Sequence, residues 1–439
     1  MPRKYLTINL IFPLVSKITK RKFWKFYRQS IATQWMKKDE LEKMQLVKFK
    51  NLLKHSYENV PYYQELLEKN GLNPTDIQSL ADIKKIPITT KSDLQKVGIK
   101  KTSATNLEKF DYYNDSTSGS TGEPFSFLGE TKHRDISTAL TIRGYNWAGY
   151  QPGEPMISLW GYHKENIPTK IYKYLLNQKT ISAFDIDNKF QEAVAFIKRF
   201  KPKLLVAYTS AIVQFAKLCE INEIKNLHIP AIIASAETLY PEHRKLIEKI
   251  FSAKVFNRYG SRELGEIAHE CEQCNGLHVS DEHLIVEFEP FEQFPKWKKI
   301  IVTHLDKYAM PLIRYDTGDL GIVFDKKCPC GRELTLIKEV NGRTTDFLRL
   351  KSGKLIPFLY FNYIFEQYGP FIKGFQIIQK SWENIIIKII PTEQYSENVG
   401  KNLIQKLSEE LSSVKMEIEE VKSILPSKSG KKITVISEI

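Results

Sequence analysis

The sequence predicts an α/β protein built from a large N-terminal domain, with parallel sheets and packed helices, and a small, mobile α+β C-terminal domain. Two observations support this prediction. A length of 439 residues exceeds one typical domain. The middle of the chain also alternates strands and helices, a rhythm that requires crossover connections and therefore favours a parallel sheet. The predicted strands are 204–208, 231–235 and 254–257, and the helices between them are 211–221 and 241–251.

The segments on either side follow different patterns. Apolar residues near helical spacing predict helix over about residues 20–63. Further strands are predicted at 284–288, 299–303 and 321–324. After residue 341 the pattern changes to an α+β unit of about a hundred residues, a size consistent with an independent domain. Its predicted elements are strands 375–379 and 385–390, a helix at 396–412 and a strand at 417–421. We therefore expect domains at 1–341 and 342–439.

Composition indicates a soluble protein, with 42% hydrophobic and 26% charged residues. No apolar run reaches transmembrane length. The apolar stretch from Leu6 to Val15 is interrupted by Pro13, and no small-residue cleavage site follows it. These features predict a cytoplasmic protein.

Positive charge is concentrated at the N-terminus. Lys and Arg number 65 against 51 Asp and Glu, and no acidic residue precedes Asp39. Basic residues cluster among aromatic ones over 17–28, a pattern that can lie on an anionic membrane, here the inner face. The alternative is a solvated helix face that covers the main domain. Residues 1–40 match no known motif, and no nucleic-acid partner is expected.

The first chemical motif is a loop of Ser, Thr and Gly at residues 116–124. Small residues let the backbone approach a phosphate, and successive N–H groups can point at an anion. It is not a Walker A loop, because no Gly-Lys-Ser/Thr ends it. The alternative is a flexible surface loop. The predicted phosphate-binding residues are Ser116, Thr117, Ser118, Gly119, Ser120, Thr121 and Gly122.

The second motif, Asn-Arg-Tyr-Gly-Ser-Arg-Glu at 257–263, directly follows a predicted parallel strand. Ligands bind at the carboxyl ends of such strands. Tyr259 could stack on a purine and Glu263 could hold Mg²⁺ beside phosphates. The alternative is a turn made by Gly260 with a surface Glu.

The third motif, Tyr-Asp-Thr-Gly-Asp at 315–319, places a carboxylate beside a glycine turn. Asp319 could accept hydrogen bonds from both ribose hydroxyls. The alternative is a hairpin turn, since Thr-Gly-Asp is common in turns.

Two weaker motifs lie towards the C-terminus. Gly-Arg-Thr-Thr-Asp at 342–346 falls where the pattern changes domain. Ser-Gly-Lys at 429–431 places a cation on a glycine turn, from which Lys431 could reach a distant site.

Four cysteines occur as two pairs. Cys271 and Cys274 form C-x₂-C, and Cys328 and Cys330 form C-x-C. Such paired thiolates suit a closed, tetrahedral structural Zn²⁺ site. The alternatives are four unrelated thiols, or a site in which His269 or His278 replaces one Cys.

In their order and spacing the five motifs resemble the adenylate-forming superfamily, which includes acyl-CoA synthetases and nonribosomal adenylation domains. The short length, the Ser-Ala-Glu at 235–237 and the cysteine pairs resemble most closely the phenylacetate–CoA ligase branch, which also contains capsule-polysaccharide proteins of the CapK type. The resemblance runs from about Leu41 to the C-terminus.

The resemblance implies a role for each matched position. The loop would bind the ATP phosphates, and the following residues would complete the site: Ala236 and Glu237 at adenine, Tyr259 and Gly260 against the base, Glu263 on Mg²⁺, Asp319 and Arg343 at the ribose or phosphate, Asp346 as hinge, and Lys431 as catalytic cation. Two positions depart from the pattern. Pro124 and Phe125 stand where many members have Lys, and Lys432 competes with Lys431 for the catalytic role.

The implied reaction is ATP-dependent activation of a carboxylic acid to an acyl-adenylate, with pyrophosphate release and transfer to CoA. One alternative is an adenylating acyl or aminoacyl transferase of surface-polysaccharide biosynthesis that does not use CoA. A second is a non-enzymatic nucleotide-binding scaffold, disfavoured because all five motifs keep their polar residues. The sequence does not identify the acid.

Overall fold

The computed structural model describes residues 3–117, 125–161, 167–292, 295–343, 347–352, 355–357, 361, 364–365, 367–409, 411, 414–424 and 435–439. The helices are α1 Arg3–Leu6, α2 Phe12–Thr19, α3 Phe23–Thr33, α4 Lys38–Asn59, α5 Pro61–Lys69, α6 Lys91–Val97, α7 Ile99–Thr102, α8 Thr131–Trp147, α9 Ile167–Leu175, α10 Phe190–Phe200, α11 Thr209–Ile221, α12 Pro241–Phe251 and α13 Glu397–Ser408. A π-helical segment, Thr7–Ile11, joins α1 to α2, and 3₁₀ turns lie at Pro74–Asp76, Leu80–Lys85, Leu107–Lys109 and Ala183–Asp185.

The strands are β1 Tyr112–Ser116, β2 Ser126–Glu130, β3 Met156–Trp160, β4 Gln178–Ser182, β5 Leu204–Tyr208, β6 Ala231–Ser235, β7 Lys254–Ser261, β8 Gly265–Glu270, β9 Leu277–Val279, β10 Leu284–Pro290, β11 Lys298–His304, β12 Tyr315–Val323, β13 Leu336–Arg343, β14 Phe347–Arg349, β15 Leu355–Pro357, β16 Ile372–Ser381, β17 Asn384–Pro391, β18 Lys415–Glu420 and β19 Val435–Ser437. This mixed architecture confirms the predicted α/β class.

One large sheet organises the N-terminal part. Its eleven strands follow the order β10-β11-β12-β13-β9-β8-β7-β6-β5-β3-β4. The five strands β3 to β7 are parallel to one another, as the strand–helix rhythm predicts. The remaining pairs of the sheet are antiparallel. A core that includes Ile212, Ile247 and Phe251 lies between the parallel strands and helices α10 to α12. The parallel half therefore presents the carboxyl ends of neighbouring strands at one edge.

The helical prediction over about residues 20–63 is confirmed, and the structure divides this segment into α3, α4 and α5. Lys20, at the end of α2, has left-handed backbone geometry with φ of 56°. Val60 is extended and separates α4 from α5, whose first residue is Pro61. A residue before proline avoids helical geometry, whereas proline itself is favoured at a first helical position.

The C-terminal part forms a separate four-stranded sheet in the order β18-β17-β16-β19, with α13 packed on it. The hairpin of β16 and β17 closes with Ser381 opposite Asn384, as predicted. The buried members of its core cluster all fall between Leu348 and Val435. This self-contained core supports a division near residue 342, which stays a proposal.

Candidate functional site

A hairpin holds the two ends of the Ser/Thr/Gly loop. Strands β1 and β2 pair antiparallel, with Ser116 opposite Ser126. Beyond them, the Thr117 N–H donates to the Phe125 carbonyl at 2.9 Å, and the Phe125 N–H donates to Thr117 Oγ1 at 3.1 Å. The loop is thus closed at its base by a double hydrogen bond. The remaining predicted phosphate-binding residues, Ser118, Gly119, Ser120, Thr121 and Gly122, lie outside the described residues.

The carboxyl edge of the parallel strands carries Ala236 and Glu237, directly after β6. Ala236 has a φ of 69°, a left-handed conformation that is uncommon for a residue with a Cβ and is found at functional sites. The Glu237 carboxylate accepts hydrogen bonds from the Ser210 N–H at 2.6 Å and from Ser210 Oγ at 3.0 Å. It thereby stabilises the first turn of α11. Its predicted place beside adenine stays a prediction.

Tyr259 and Asp319 meet although β7 and β12 are four strands apart in the sheet order. Tyr259 Oη donates to Asp319 Oδ2 at 2.7 Å. Burial, together with the negative charge of Asp319, raises the pKa of Tyr259 well above its usual value. The phenol therefore stays a neutral donor near pH 7. The antiparallel half of the sheet curls far enough to join the second and third sequence motifs.

The third motif is not a hairpin turn but a bulge inside β12. Opposite β11, Asp316 pairs with Ile301 and Leu320 pairs with Lys299, so residues 317–319 are partly looped out. Gly318 has a φ of 75°, and its N–H donates to Asp316 Oδ1 at 2.8 Å. Bulges redirect side chains. Here the bulge accompanies the contact of Asp319 with Tyr259.

Glu263 lies in a largely buried position beside an unforeseen lysine. Its side chain accepts a hydrogen bond from Tyr315 Oη at 3.4 Å, and its carbonyl accepts one from Lys307 Nζ at 2.9 Å. Lys307 is fully buried, with Nζ 5.0 Å from the centre of the Phe127 ring. Burial lowers the pKa of Lys307 to about 8. Sequence reasoning missed Lys307, because one lysine among 65 basic residues carries no local signal.

Gly260 is required by the backbone around it. A Cβ at this position would collide with the carbonyl of Gly265 across the β7–β8 hairpin. The preceding Arg258 is held by Glu266, with Nε 2.5 Å from Oε2. These contacts account for Gly260 and Arg258 without a ligand, and they fix the strand that carries Tyr259.

The residues predicted nearer the C-terminus are less fully defined. The backbone of Arg343 pairs with that of Asp319 between β12 and β13, so both positions lie at one end of these strands. The Arg343 side chain, Asp346, Lys431 and Lys432 fall outside what the structure describes.

A compact group of sulfur and nitrogen atoms lies between two tight turns. One atom from each of Cys271, His278, Cys328 and Cys330 is within 4.8 Å of all the others. Cys271 Sγ lies 3.6 Å from Cys328 Sγ, and Cys330 Sγ lies 3.4 Å from His278 Nε2. Backbone N–H groups of Gln273 and Arg332 point at Cys271 and Cys330 at 3.4 and 3.5 Å. Three thiols and one imidazole are a donor set for tetrahedral Zn²⁺.

The four-cysteine set needs one correction, because His278 stands in the group where Cys274 was expected. Cys274 has a φ of 48°, and its thiol donates to the Val255 carbonyl at 3.6 Å. The turn from Cys271 therefore directs this thiol towards β7. The other alternative ligand, His269, donates from Nδ1 to the Glu270 carbonyl at 2.6 Å and is not in the group of four.

Comparison with known proteins gives two kinds of relative. The family described as CapK C-terminal domain matches residues 348–438. Protein CapK of Staphylococcus aureus is 26% identical over 450 aligned positions, covering 98% of this chain and 97% of CapK. A phenylacetate-coenzyme A ligase of Thermus thermophilus is 26% identical over 344 positions, covering 75% of this chain and 76% of the ligase.

The fold also matches solved adenylate-forming structures. A 2-hydroxyisobutyryl-CoA ligase, crystallised in the postadenylation state with an acyl-AMP, superposes with a TM-score of 0.70 at 19% identity. The match covers 93% of this chain and 92% of that ligase. Among the described residues, no helix is both long and apolar enough to cross a membrane.

Proposed function

Because the chain is related to the phenylacetate–CoA ligase and CapK branch of the adenylate-forming enzymes, we propose that it activates a carboxylic acid with ATP and transfers the acyl group to CoA. The observation that carries the proposal is the hydrogen bond between Tyr259 and Asp319. It joins two nucleotide motifs that are 60 residues apart, at the end of the sheet where Glu263 also lies. If the motif matches were coincidental, these side chains would have no reason to meet.

The first step forms a bond between a carboxylate oxygen of the substrate and the α-phosphorus of ATP. The bond between the α-phosphorus and the bridging oxygen breaks, and pyrophosphate leaves. The N–H groups of the loop at 116–122 would bind the phosphates, and Lys431 would stabilise the charge that develops. In the second step the CoA thiolate attacks the acyl carbonyl and AMP leaves.

The nucleotide would lie against the end of the curled sheet. The Asp319 carboxylate would accept hydrogen bonds from ribose, with Arg343 near the ribose or phosphate and Tyr259 beside the base. Ala236 and Glu237 would border adenine. Mg²⁺, when bound, would neutralise phosphate charge, and Glu263 would ligate it. Lys307, whose Nζ donates to the Glu263 carbonyl, would hold the backbone of Glu263 in place.

Pyrophosphate release tests this function directly. The purified protein is incubated with ATP, Mg²⁺ and a panel of aliphatic, hydroxy and aromatic carboxylates, each with and without CoA. We expect acid-dependent pyrophosphate release, and an acyl-CoA product detected by mass spectrometry only when CoA is present. The proposal fails if no member of the panel releases pyrophosphate while ATP still binds, the result expected of a scaffold.

The relation to CapK favours a second acceptor. CapK matches this chain over nearly its whole length, and the C-terminal family match bears the same name. The alternative function is therefore an acyl or aminoacyl transfer in surface-polysaccharide synthesis that bypasses CoA. Pyrophosphate release that is unaffected by CoA, with no thioester formed, would favour this acceptor class.

A structural zinc ion fits the group of Cys271, His278, Cys328 and Cys330. The group is largely buried, and its members come from segments that are far apart in the sequence. Such an ion would link the turn after β8 to the turn before β13. A closed Cys₃His set leaves no open position for catalysis, so the ion would serve folding alone.

A further inference from the structure

The N-terminal helices expose a continuous row of large aliphatic side chains. Leu6, Leu10, Leu14 and Ile18 are spaced four residues apart and are 42%, 56%, 50% and 71% exposed. Residues at this spacing share one face of a helix. The opposite face carries Phe12, which is buried against Phe23 at 5.2 Å between ring centres. The helix is thus anchored on one side and apolar on the solvent side.

A second helix extends this apolar surface. In α9, Ile167, Ile171 and Tyr174 are 72%, 55% and 67% exposed and follow helical spacing. Its inner side contributes to the same small core as Phe12, and the Arg3 side chain donates to the Tyr174 carbonyl. The two helical segments therefore share one small core and meet where Arg3 contacts Tyr174. We call the seven residues Leu6, Leu10, Leu14, Ile18, Ile167, Ile171 and Tyr174 the docking surface.

The aromatic residues of segment 17–28 pack inward instead of facing a membrane. Phe23 and Tyr27 are 5% and 7% exposed, and Trp24 stacks on Tyr27 at 5.4 Å between ring centres. They attach α3 to the body of the protein. Segment 17–28 therefore offers charge to a partner, whereas the apolar contact comes from the docking surface.

The helices that carry the docking surface contribute charge of one sign, although Arg21 in segment 17–28 is paired with Asp135. Ten of the first 38 residues are Lys or Arg and none is acidic, and α9 contains Lys170 and Lys173 without an acidic residue. Within the described part of the chain, no ion pair joins Lys17, Lys22 or Lys25 to an acidic side chain. A contiguous exposed apolar patch with this rim marks a binding surface.

We propose that the docking surface binds an anionic lipid bilayer, with the aliphatic row inserted at the headgroup boundary and the lysines paired with lipid phosphates. A helix with an apolar face and a basic rim lies in this way on membranes. Pairing with a second copy of the chain is disfavoured, because it would bring two positive rims together. The proposal is independent of the reaction proposed above, since binding requires neither ATP nor acid.

Vesicle sedimentation tests the proposal with the full chain. Wild type is compared with the Leu10→Ser/Leu14→Ser variant on vesicles of phosphatidylcholine alone and with phosphatidylglycerol. The matched control is Val47→Ser/Ile221→Ser, which removes two apolar side chains that are 62% and 77% exposed elsewhere. Both pairs are exposed, so both variants should keep the wild-type melting temperature. A third variant, Ile171→Ser/Tyr174→Ser, probes α9.

We expect wild type and control to bind anionic vesicles and to release them at high salt. The variants in the docking surface should bind at least roughly ten-fold more weakly, because large apolar side chains no longer leave water. Equal binding by all four proteins, or no binding by wild type, would overturn the proposal. So would a wild-type dimer in sedimentation velocity that Leu10→Ser/Leu14→Ser dissociates while vesicle binding is absent, since a second copy would then occupy the surface.

Discussion

Two carboxylates within one bulge have different partners. The Asp316 carboxylate accepts the Gly318 N–H, whereas Asp319 accepts the Tyr259 hydroxyl. One carboxylate therefore stabilises the bulge and the other faces the candidate nucleotide site. This pair allows ligand binding to be separated from folding.

We expect Asp319→Asn to weaken ATP binding by about ten-fold or more, because a hydrogen bond to a charged group contributes roughly 1.5–3 kcal/mol and a neutral one about 1 kcal/mol. The amide oxygen can still accept from Tyr259, so the melting temperature should change little. The control Asp316→Ala should lose about 1 kcal/mol of stability and keep its ATP affinity. Calorimetric titration and thermal melts measure both. Unchanged ATP affinity in Asp319→Asn would refute the ribose role.

Lys307 gives a prediction about pH. Burial lowers its pKa from 10.5 to about 8 in the folded protein, so between these values the unfolded chain holds a proton that the folded chain has lost. Stability therefore increases as the pH rises through this window, by about 1.4 kcal/mol per pH unit. In Lys307→Met this contribution is absent. Urea unfolding of both proteins from pH 7 to 10 should show that the free energy of unfolding of wild type rises relative to that of the variant. A difference that stays constant with pH would contradict the lowered pKa.

At the scale of elements, the group of Cys271, His278, Cys328 and Cys330 connects the ends of strands β8 and β13, which do not pair with each other. Cys271 follows β8, His278 lies in β9, and Cys328 and Cys330 precede β13. Strand β9 lies between β8 and β13 and pairs with both of them. A bound ion would add a link between the two turns.

Elemental analysis should find about one zinc ion per chain in protein purified without chelator. We expect Cys271→Ser and His278→Ala to lose the ion and to melt at a lower temperature. The matched control, Cys274→Ser, should keep both the ion and the wild-type melting temperature, because its thiol faces the Val255 carbonyl. Loss of zinc in Cys274→Ser but not in His278→Ala would restore the four-cysteine set. Wild type without metal would refute either set.

At the scale of the whole molecule, the proposed reaction depends on a residue from the C-terminal part reaching the large sheet. We expect Lys431→Ala to slow pyrophosphate exchange by on the order of 10²–10³, the usual cost of removing one charge stabiliser, with ATP affinity nearly unchanged. Lys432→Ala is the matched control. Loss in Lys432→Ala alone would move the role to that residue, and no loss in either would remove the catalytic lysine from the mechanism.

Much of the fold could be predicted because its signals are local. Strands 204–208 and 231–235 and helix 241–251 coincide with the structure, since buried strands are short apolar runs and α12 begins with proline. The helical segment 20–63 is predicted without its internal breaks, because apolar spacing continues across breaks that backbone geometry imposes. Strand β12 was predicted only from residue 321, because Gly318 and its polar neighbours resemble a turn until the pairing with β11 is known.

The sequence by itself determined the class of fold and the related enzymes, because each depends on residue types at fixed spacing, whereas the nucleotide residues stay a prediction. Only the tertiary structure decided which of these side chains meet. The contact of Tyr259 with Asp319 needs a sheet that curls across four strands, and the choice of His278 over Cys274 depends on the direction of one turn. Burial of Phe23 and exposure of Leu10 likewise follow from which helix face finds a neighbour. Such pairings are set by packing between distant segments, about which local spacing carries no information.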